Sequence, residues 1–419
     1  MKMLNWVSRF NIFCLLDNNG YQFEKPSFEW MLATDAGHTF SASGNDIEFE
    51  ALQSYHESNP GWLFGHFNYP SANRDNNGFP ACFFFKPGIL LSFKDDILHI
   101  ETEGRDAAAI FQEINEQDSV IQKNSESRVS IQNRSSRDAY IEMVRALKRH
   151  IQRGDCYEIN ICQEFYSTDA SIDPLWLFKQ LTEASPNPFA SFYRVFDQYC
   201  LCASPERFLK KTGTTLISQP IKGTSKRDLQ NIEQDIVNKE YLLNSAKEKS
   251  ENVMVVDLVR NDLSRICTEG SVSVKELFGI YSFPQVHQMI STIQGSVDEN
   301  MHWTKMIEAC FPMGSMTGAP KVKVMELIDK YEGFPRGLFS GTIGYVTPGG
   351  DFDFNVVIRS LFYDASNKIL SLKAGSGITF YSDPALEYEE CLVKASAIIN
   401  MLEKDQERFF LPPAEREAG

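Results

Sequence analysis

Apolar residues recur along this chain with two periods, and the changes of period mark its elements. Ala81 to Phe85 is an apolar run, Ile89 to Phe93 a second, and Ile97 to Glu101 follows. Pro87-Gly88 and Lys94-Asp95-Asp96 separate them, which predicts an antiparallel meander joined by turns. Tyr140, Met143, Val144, Leu147 and Ile151 form one stripe at helical spacing, with Ser136 placed to cap its start and Gly154 to end it. Tyr157 to Phe165 then reads as a strand. Ser245 and Glu248 have capping-box spacing ahead of Val253, Val256 and Leu258, and Asp383-Pro384 offers a cap and a first-turn proline to a late helix. Leu338 to Thr347, Phe354 to Tyr363 and Ile369 to Leu372 read as β. Strand runs outnumber regular β-α-β alternation, so the pattern predicts an α+β fold with antiparallel sheets rather than a doubly wound parallel sheet.

The pattern also divides the chain. Residues 1–121 are β-rich, 122–138 are polar and serine-rich and read as a linker, 139–402 form the main region, and 403–419, with Pro412-Pro413, read as a loose tail. With 31 Phe and 42% hydrophobic residues in 419, the chain is globular. Its net charge of -15 argues against generic binding to nucleic acid or anionic membrane, which calls for clustered Lys and Arg. No run approaches the roughly 18 apolar residues of a membrane span. Met1 to Leu16 lacks a clean secretory core, interrupted as it is by Asn5, Ser8, Arg9 and Asn11. The 9 cysteines include no C-x-x-C pair, the nearest being Cys200 and Cys202, so reduced thiols in a cytoplasm are expected. An anionic substrate would need local cations or a bound metal to overcome the acidic background.

Several short segments carry candidate chemistry. They are Ser204-Pro205-Glu206-Arg207-Phe208, Pro220-Ile221-Lys222-Gly223-Thr224, Ser245 to Asn252, Gly314-Ser315-Met316-Thr317-Gly318-Ala319-Pro320-Lys321, Ser340 to Tyr345, and Glu387-Tyr388-Glu389-Glu390. Each has an ordinary reading by itself. Lys222 could end a solvated strand, Glu206 sit in a turn, Tyr345 and His287 belong to the core, and Lys394 pair with Glu390 one helical turn away. Gly375 and Gly377 could mark a turn. Glu248 and Glu251 are three apart on one predicted helix and Glu387 and Glu390 on another, so each pair shares a face. Brought together, the two pairs would offer hard oxygen ligands suited to Mg²⁺ that keeps several waters.

Together these segments, from about Tyr140 to Met401, resemble the chorismate-utilising enzymes. The resemblance implies two large antiparallel sheets packed together, helices outside, and an active site in a cleft at the sheet edge. It implies Glu251 and Glu390 as Mg²⁺ ligands with Glu248 and Glu387 in support, Glu206 as general acid, and His287 near the substrate ring. Arg359, read as lying on a strand, would take the ring carboxylate with Tyr345. Gly375 and Gly377 would admit the enolpyruvyl carboxylate, while Ser315 and Lys394 would contact or steady the substrate.

Lys222 stands where the anthranilate-forming branch carries alanine. It implies the branch in which lysine attacks C2 of chorismate and ammonia resolves the adduct at C4, giving 4-amino-4-deoxychorismate for p-aminobenzoate and folate. The alternatives are anthranilate formation and a non-catalytic chorismate-binding subunit; the latter could dispense with Glu206 or Lys222, and both are present. Water-using members carry a lysine where this chain has Glu158, and ammonia-using members are expected to carry glutamine. No cysteine has the glycine-flanked setting of a glutamine amidotransferase nucleophile, so a separate amidotransferase subunit is implied as the ammonia source. Leu15-Leu16-Asp17 bears a slight likeness to a segment that builds a tryptophan pocket in some relatives.

Overall fold

The strand Cys82–Lys94 serves both halves of the sheet. In the computed structural model, which describes residues 1–21, 28–42, 46–71, 78–123 and 127–410 (404–410 as backbone), its first residues pair with Leu63–Phe67. Its last residues pair with Ile97–Thr102, and Trp30–Ser41 lies along almost its whole length. Strand geometry sends successive side chains to opposite faces. Cys82 and Phe84 enter a core shared with the helices Phe49–Ser58, Ala246–Ser264 and Trp303–Cys310. Ile89 and Leu91 enter another, shared with Lys2–Val7, Ala107–Asn115, Pro174–Ala184 and Pro384–Phe410. Phe83, Phe85 and Leu90 enter a third, built from strands and loops. Helices therefore cover one face of each half, and the other two faces pack on each other.

This is the expected α+β arrangement with one correction. The layers are halves of a single hydrogen-bonded network, nineteen strands among the described residues and antiparallel at every pairing. The reason lies at Pro87-Gly88, read above as a turn but found inside the strand. Opposite it, Trp30–Ser41 bulges between Ala36 and His38, beside Asp35 at φ 57°. A bulge bends a pair without ending it and tolerates proline. A Cβ on Gly88 would stand 2.6 Å from the Asp35 carbonyl oxygen, so the bend requires glycine there. The turn at Asp95 and Asp96 is present, with both residues at positive φ as a two-residue hairpin demands.

The sheet runs across the segment boundaries drawn above. Ile12–Asp17 pairs with both Trp30–Ser41 and Phe189–Val195, and Leu63–Phe67 with Thr342–Val346. Arg128 bridges to Ser171, and Gln132–Asn133 pairs with Glu158–Ser167; residues 124–126 lie outside the described ones. The helix Arg137–Gln152 is capped by Ser136, whose hydroxyl accepts from Ala139 N, and buries Tyr140, Val144 and Leu147. Ala246–Ser264 is capped by Ser245 but buries Val255, Val256, Val259 and Leu263; Val253 faces solvent. Asp383 caps the last helix, which runs to Phe410, so the expected tail begins as helix and Pro412-Pro413 lies outside the described residues. Among the described residues, no helix is long and apolar enough to cross a membrane.

Candidate active site

Glu206 occupies the short crossing between the strands Gln198–Ser204 and Arg207–Thr212. The crossing is pinned: Ser204 Oγ donates to the Val356 carbonyl at 2.5 Å, and Val356 N donates to the Glu206 carbonyl at 3.0 Å. Only 4% of Glu206 is exposed. Burial pushes its carboxyl up to about 7, although the Ser315 hydroxyl, Lys222 and Arg359 all pull it down. A carboxylic acid that keeps its proton near neutral pH is what protonation of a poor leaving group calls for.

Lys222 lies on Ile221–Lys226, which pairs with Val286–Ser296 through a register break between Ile221 and Thr224. Its Nζ donates to Glu158 Oε1 at 2.6 Å, at the start of the strand Glu158–Ser167. Burial opposes the ammonium charge, but Glu158, Glu251 and Glu206 outweigh it and hold the lysine above its ordinary range. In the free protein Lys222 is therefore charged. The two glycines make room here in different ways. A Cβ on Gly377 would lie 2.9 Å from Glu158 Oε1 and 3.0 Å from Lys222 Nζ, whereas one on Gly375 would lie 2.6 Å from the Ile161 carbonyl oxygen.

Ser315 belongs to the single turn Gly314–Met316, docked beside Glu206 by a buried ion pair that sequence reasoning missed. Arg336, 1% exposed, donates to Glu332 through Nε and Nη2, to the Met316 carbonyl through Nη1 and to the Asn160 carbonyl through Nη2. Asn160 completes the link, its amide donating to the Ser315 carbonyl at 3.3 Å. The amide oxygen of Asn160 is buried without a hydrogen-bond partner, beside Gly375. Nothing in the sequence separates Glu332 and Arg336 from an exposed i,i+4 pair.

Arg359 is not within a strand. The run Phe354 to Tyr363 is broken into Phe352–Asn355 and Ser360–Asp364, and the chain turns between them with Arg359 at φ 52°. That left-handed conformation is uncommon for a residue with a Cβ and cannot continue a strand. It sets the guanidinium within electrostatic reach of Glu206. His287 is 1% exposed, with Nδ1 2.8 Å from Ser282 Oγ and Nε2 3.1 Å from Asp235 Oδ1. It sits opposite Ser225 on the strand beside that of Lys222, with both ring nitrogens engaged. Tyr345 is placed elsewhere: its ring meets Phe28, Trp62 and Phe64 in the helix-free core. It lines an open pocket with Leu16, Asp17, Asn18, Arg207 and Lys210, whose walls include neither Glu206 nor Lys222. Strand alternation explains this, since Ile343 and Tyr345 share the inward face of Thr342–Val346.

The carboxylate pairs come from two helices. Lys247 Nζ is 3.8 Å from Glu251, and Lys394 Nζ is 2.7 Å from Glu390 while donating to the Gly375 carbonyl at 2.9 Å. Burial raises Glu251 to about 7, with Glu158 and Glu248 adding like charge against the pull of Lys222. Burial also raises Glu248, with Glu390 contributing; Glu390, partly exposed, is held low by Lys394. Among the described residues, no three His, Cys, Asp or Glu side chains converge as a ready metal cage. Carboxylates on two helices would suit a hydrated hard cation such as Mg²⁺, which binds through one or two carboxylates and retains water.

A buried acid, a lysine and carboxylates from two helices thus lie within electrostatic reach of one another. Residues 14–400 match the profile of the chorismate binding enzymes, and the chain belongs to that family. The match begins well before Tyr140, so the likeness takes in the N-terminal strands. The chain is 40% identical over 273 residues to aminodeoxychorismate synthase component 1 of Escherichia coli (strain K12), covering 65% of this chain and 59% of that protein. It is 31% identical over 338 residues to an anthranilate synthase component I-like protein of Synechocystis sp. (strain ATCC 27184 / PCC 6803 / Kazusa), covering 80% and 69%. Anthranilate synthase component I from Streptococcus pneumoniae TIGR4 shares the fold, with a TM-score of 0.76 at 22% identity over 88% of this chain and 91% of that one.

Proposed function

We propose that this enzyme converts chorismate and ammonia to 4-amino-4-deoxychorismate and water, supplying p-aminobenzoate and folate synthesis. The observation that carries the reading is the placement of Lys222 and the buried acid Glu206 within electrostatic reach of each other at one cleft. Glu206 protonates the C4 hydroxyl, which leaves as water while Lys222 Nζ bonds to C2 and the ring double bonds shift. Ammonia then attacks C4, the double bonds shift back, and the lysine leaves. Arg359 and Lys394 supply positive charge for the substrate carboxylates, with Gly375 and Gly377 admitting one closely. Glu251 and Glu390, supported by Glu248 and Glu387, would hold Mg²⁺, which neutralises carboxylate charge in this acidic cleft.

His287, fixed by Asp235 and Ser282, shapes the wall beside Lys222. Ammonia comes from a separate glutamine amidotransferase subunit, a reading supported by relatives that are named as a first component. The nine unpaired cysteines suit a reducing cytoplasm. Chorismate, MgCl₂ and an ammonium salt incubated with the protein should yield 4-amino-4-deoxychorismate on chromatography. Anthranilate as the product would overturn the reading.

A further inference from the structure

We infer that Glu158 takes the proton from Lys222 as the lysine attacks, holds it while the lysine is bonded to substrate, and returns it when the lysine leaves. This rests on the C4 amination proposed above. The geometry is direct, a 2.6 Å hydrogen bond between side chains only 4% and 11% exposed. Among the described residues, Glu158 is the carboxylate within ion-pair range of Lys222. It is held rigidly, because the Glu158–Ser167 strand is paired on one side with Gly318–Ala319 and on the other with Ile369–Ile378. Gly377 contributes by what it lacks, since a side chain there would enter the space of both the carboxylate and the ammonium.

The chemistry requires a proton acceptor, and in this chain Glu158 is the carboxylate hydrogen-bonded to the lysine. An ammonium has no lone pair, so one proton must leave Lys222 before its nitrogen bonds to C2. Transfer to Glu158 turns ammonium and carboxylate into amine and carboxylic acid without net charge change, so burial of the pair does not oppose it. The amine lone pair makes the C2–N bond and the C4–O bond breaks, with the departing hydroxyl taking the Glu206 proton. When ammonia attacks C4, the C2–N bond electrons return to the lysine, which recovers its proton from Glu158. The new C4 ammonium passes its surplus proton to Glu206, and the cycle closes on chorismate plus ammonia giving product plus water. Glu206 cannot play both parts, because it must be protonated at the moment Lys222 must be deprotonated.

The test follows adduct formation by intact-mass spectrometry, with chorismate and Mg²⁺ but no ammonia, from pH 5.5 to 9 (an experimental range of about three units, set around the titration of Glu206). The charged groups acting on the pair are Glu206, Glu248, Glu251 and Glu390, all unchanged in the variants. Below neutral pH the wild-type rate should be level. In Glu158→Gln the proton must first be lost to solvent, so the rate should fall about 100-fold and climb about tenfold per pH unit. Glu158→Asp keeps a carboxylate and should recover the level profile at an intermediate rate. A merely structural role would slow both variants without changing the slope. Adduct formation in Glu158→Gln with the rate and pH dependence of wild type would overturn the relay alone. Absence of any adduct in wild type would instead overturn the amination reading, and the relay with it.

Discussion

Lys394 and Glu390 form an ion pair of 2.7 Å whose lysine is also tied to the Gly375 carbonyl, so one cation joins a candidate metal ligand to the glycine strand. Metal binding at Glu390, as proposed, would therefore be felt at Gly375. Mg²⁺ should stabilise the wild-type protein, as any ligand of the folded state does, by about 2.7 kcal/mol at a hundredfold excess over Kd, and so raise its melting temperature. In Glu251→Gln and Glu390→Gln that shift should disappear and turnover should be lost with the fold intact. Calorimetric titration of Mg²⁺ gives a check independent of activity; unchanged Mg²⁺ affinity in both variants would remove these residues from the site.

Glu206 sets a pH limit and carries a cost. Its acid form is the working one, so kcat/KM should fall as pH rises through about 7, and Glu206→Gln should lower it by at least about 100-fold. The stability consequence has the opposite sense. With a folded pKa raised above that of the unfolded chain, the native state holds a proton that the unfolded state has already lost between ordinary carboxylate pH and 7. Stability contributed by this group is thus present at low pH and declines as pH climbs through that window. At pH 8 (about one unit above the Glu206 titration), Glu206→Gln should be more stable than wild type by up to about 3 kcal/mol, and so melt higher. Equal melting curves across pH would show that the carboxyl is not buried as described.

The two glycines should fail differently. Gly375→Ala puts a methyl 2.6 Å from a backbone oxygen, which cannot yield without moving the strand, and should cost about 1–3 kcal/mol of stability. Gly377→Ala meets only the movable ends of Lys222 and Glu158. It should fold nearly normally yet lose most turnover, because the pair is displaced. Thermal melts with ammonium-dependent assays separate the two outcomes, and a destabilised but active Gly377→Ala would contradict the assignment.

Arg336 anchors the Ser315 turn without touching the acid. Arg336→Met leaves Glu332 buried and unpaired and should cost about 3–5 kcal/mol, read by urea unfolding. A loss near zero would mean that the ion pair is not buried in solution.

Helix positions were legible in the sequence wherever a polar cap met a periodic stripe, as at Ser136 and Asp383. The residues of the cleft were legible as short segments, although their partners were not. Pro87-Gly88 misled because a bulge and a turn call for the same residue types, and only the register of the opposite strand tells them apart. Arg359 was drawn into a strand because a single left-handed residue leaves no trace in apolar periodicity. Tyr345 shows a different limit. Its segment is near the site in sequence, but a period of two sends its ring into the opposite layer. The Arg336–Glu332 pair stayed hidden because burial, not spacing, gives it its importance.

The pairing of Leu63–Phe67 with Thr342–Val346 has a further consequence for how the chain reaches this structure. During synthesis the early strand waits, its hydrogen-bonding edge open, until nearly the last strands have emerged. Such distant pairing makes folding slow and exposes apolar edges in the interval. The amino-terminal strands therefore complete their pairing only once residues 342–346 are available.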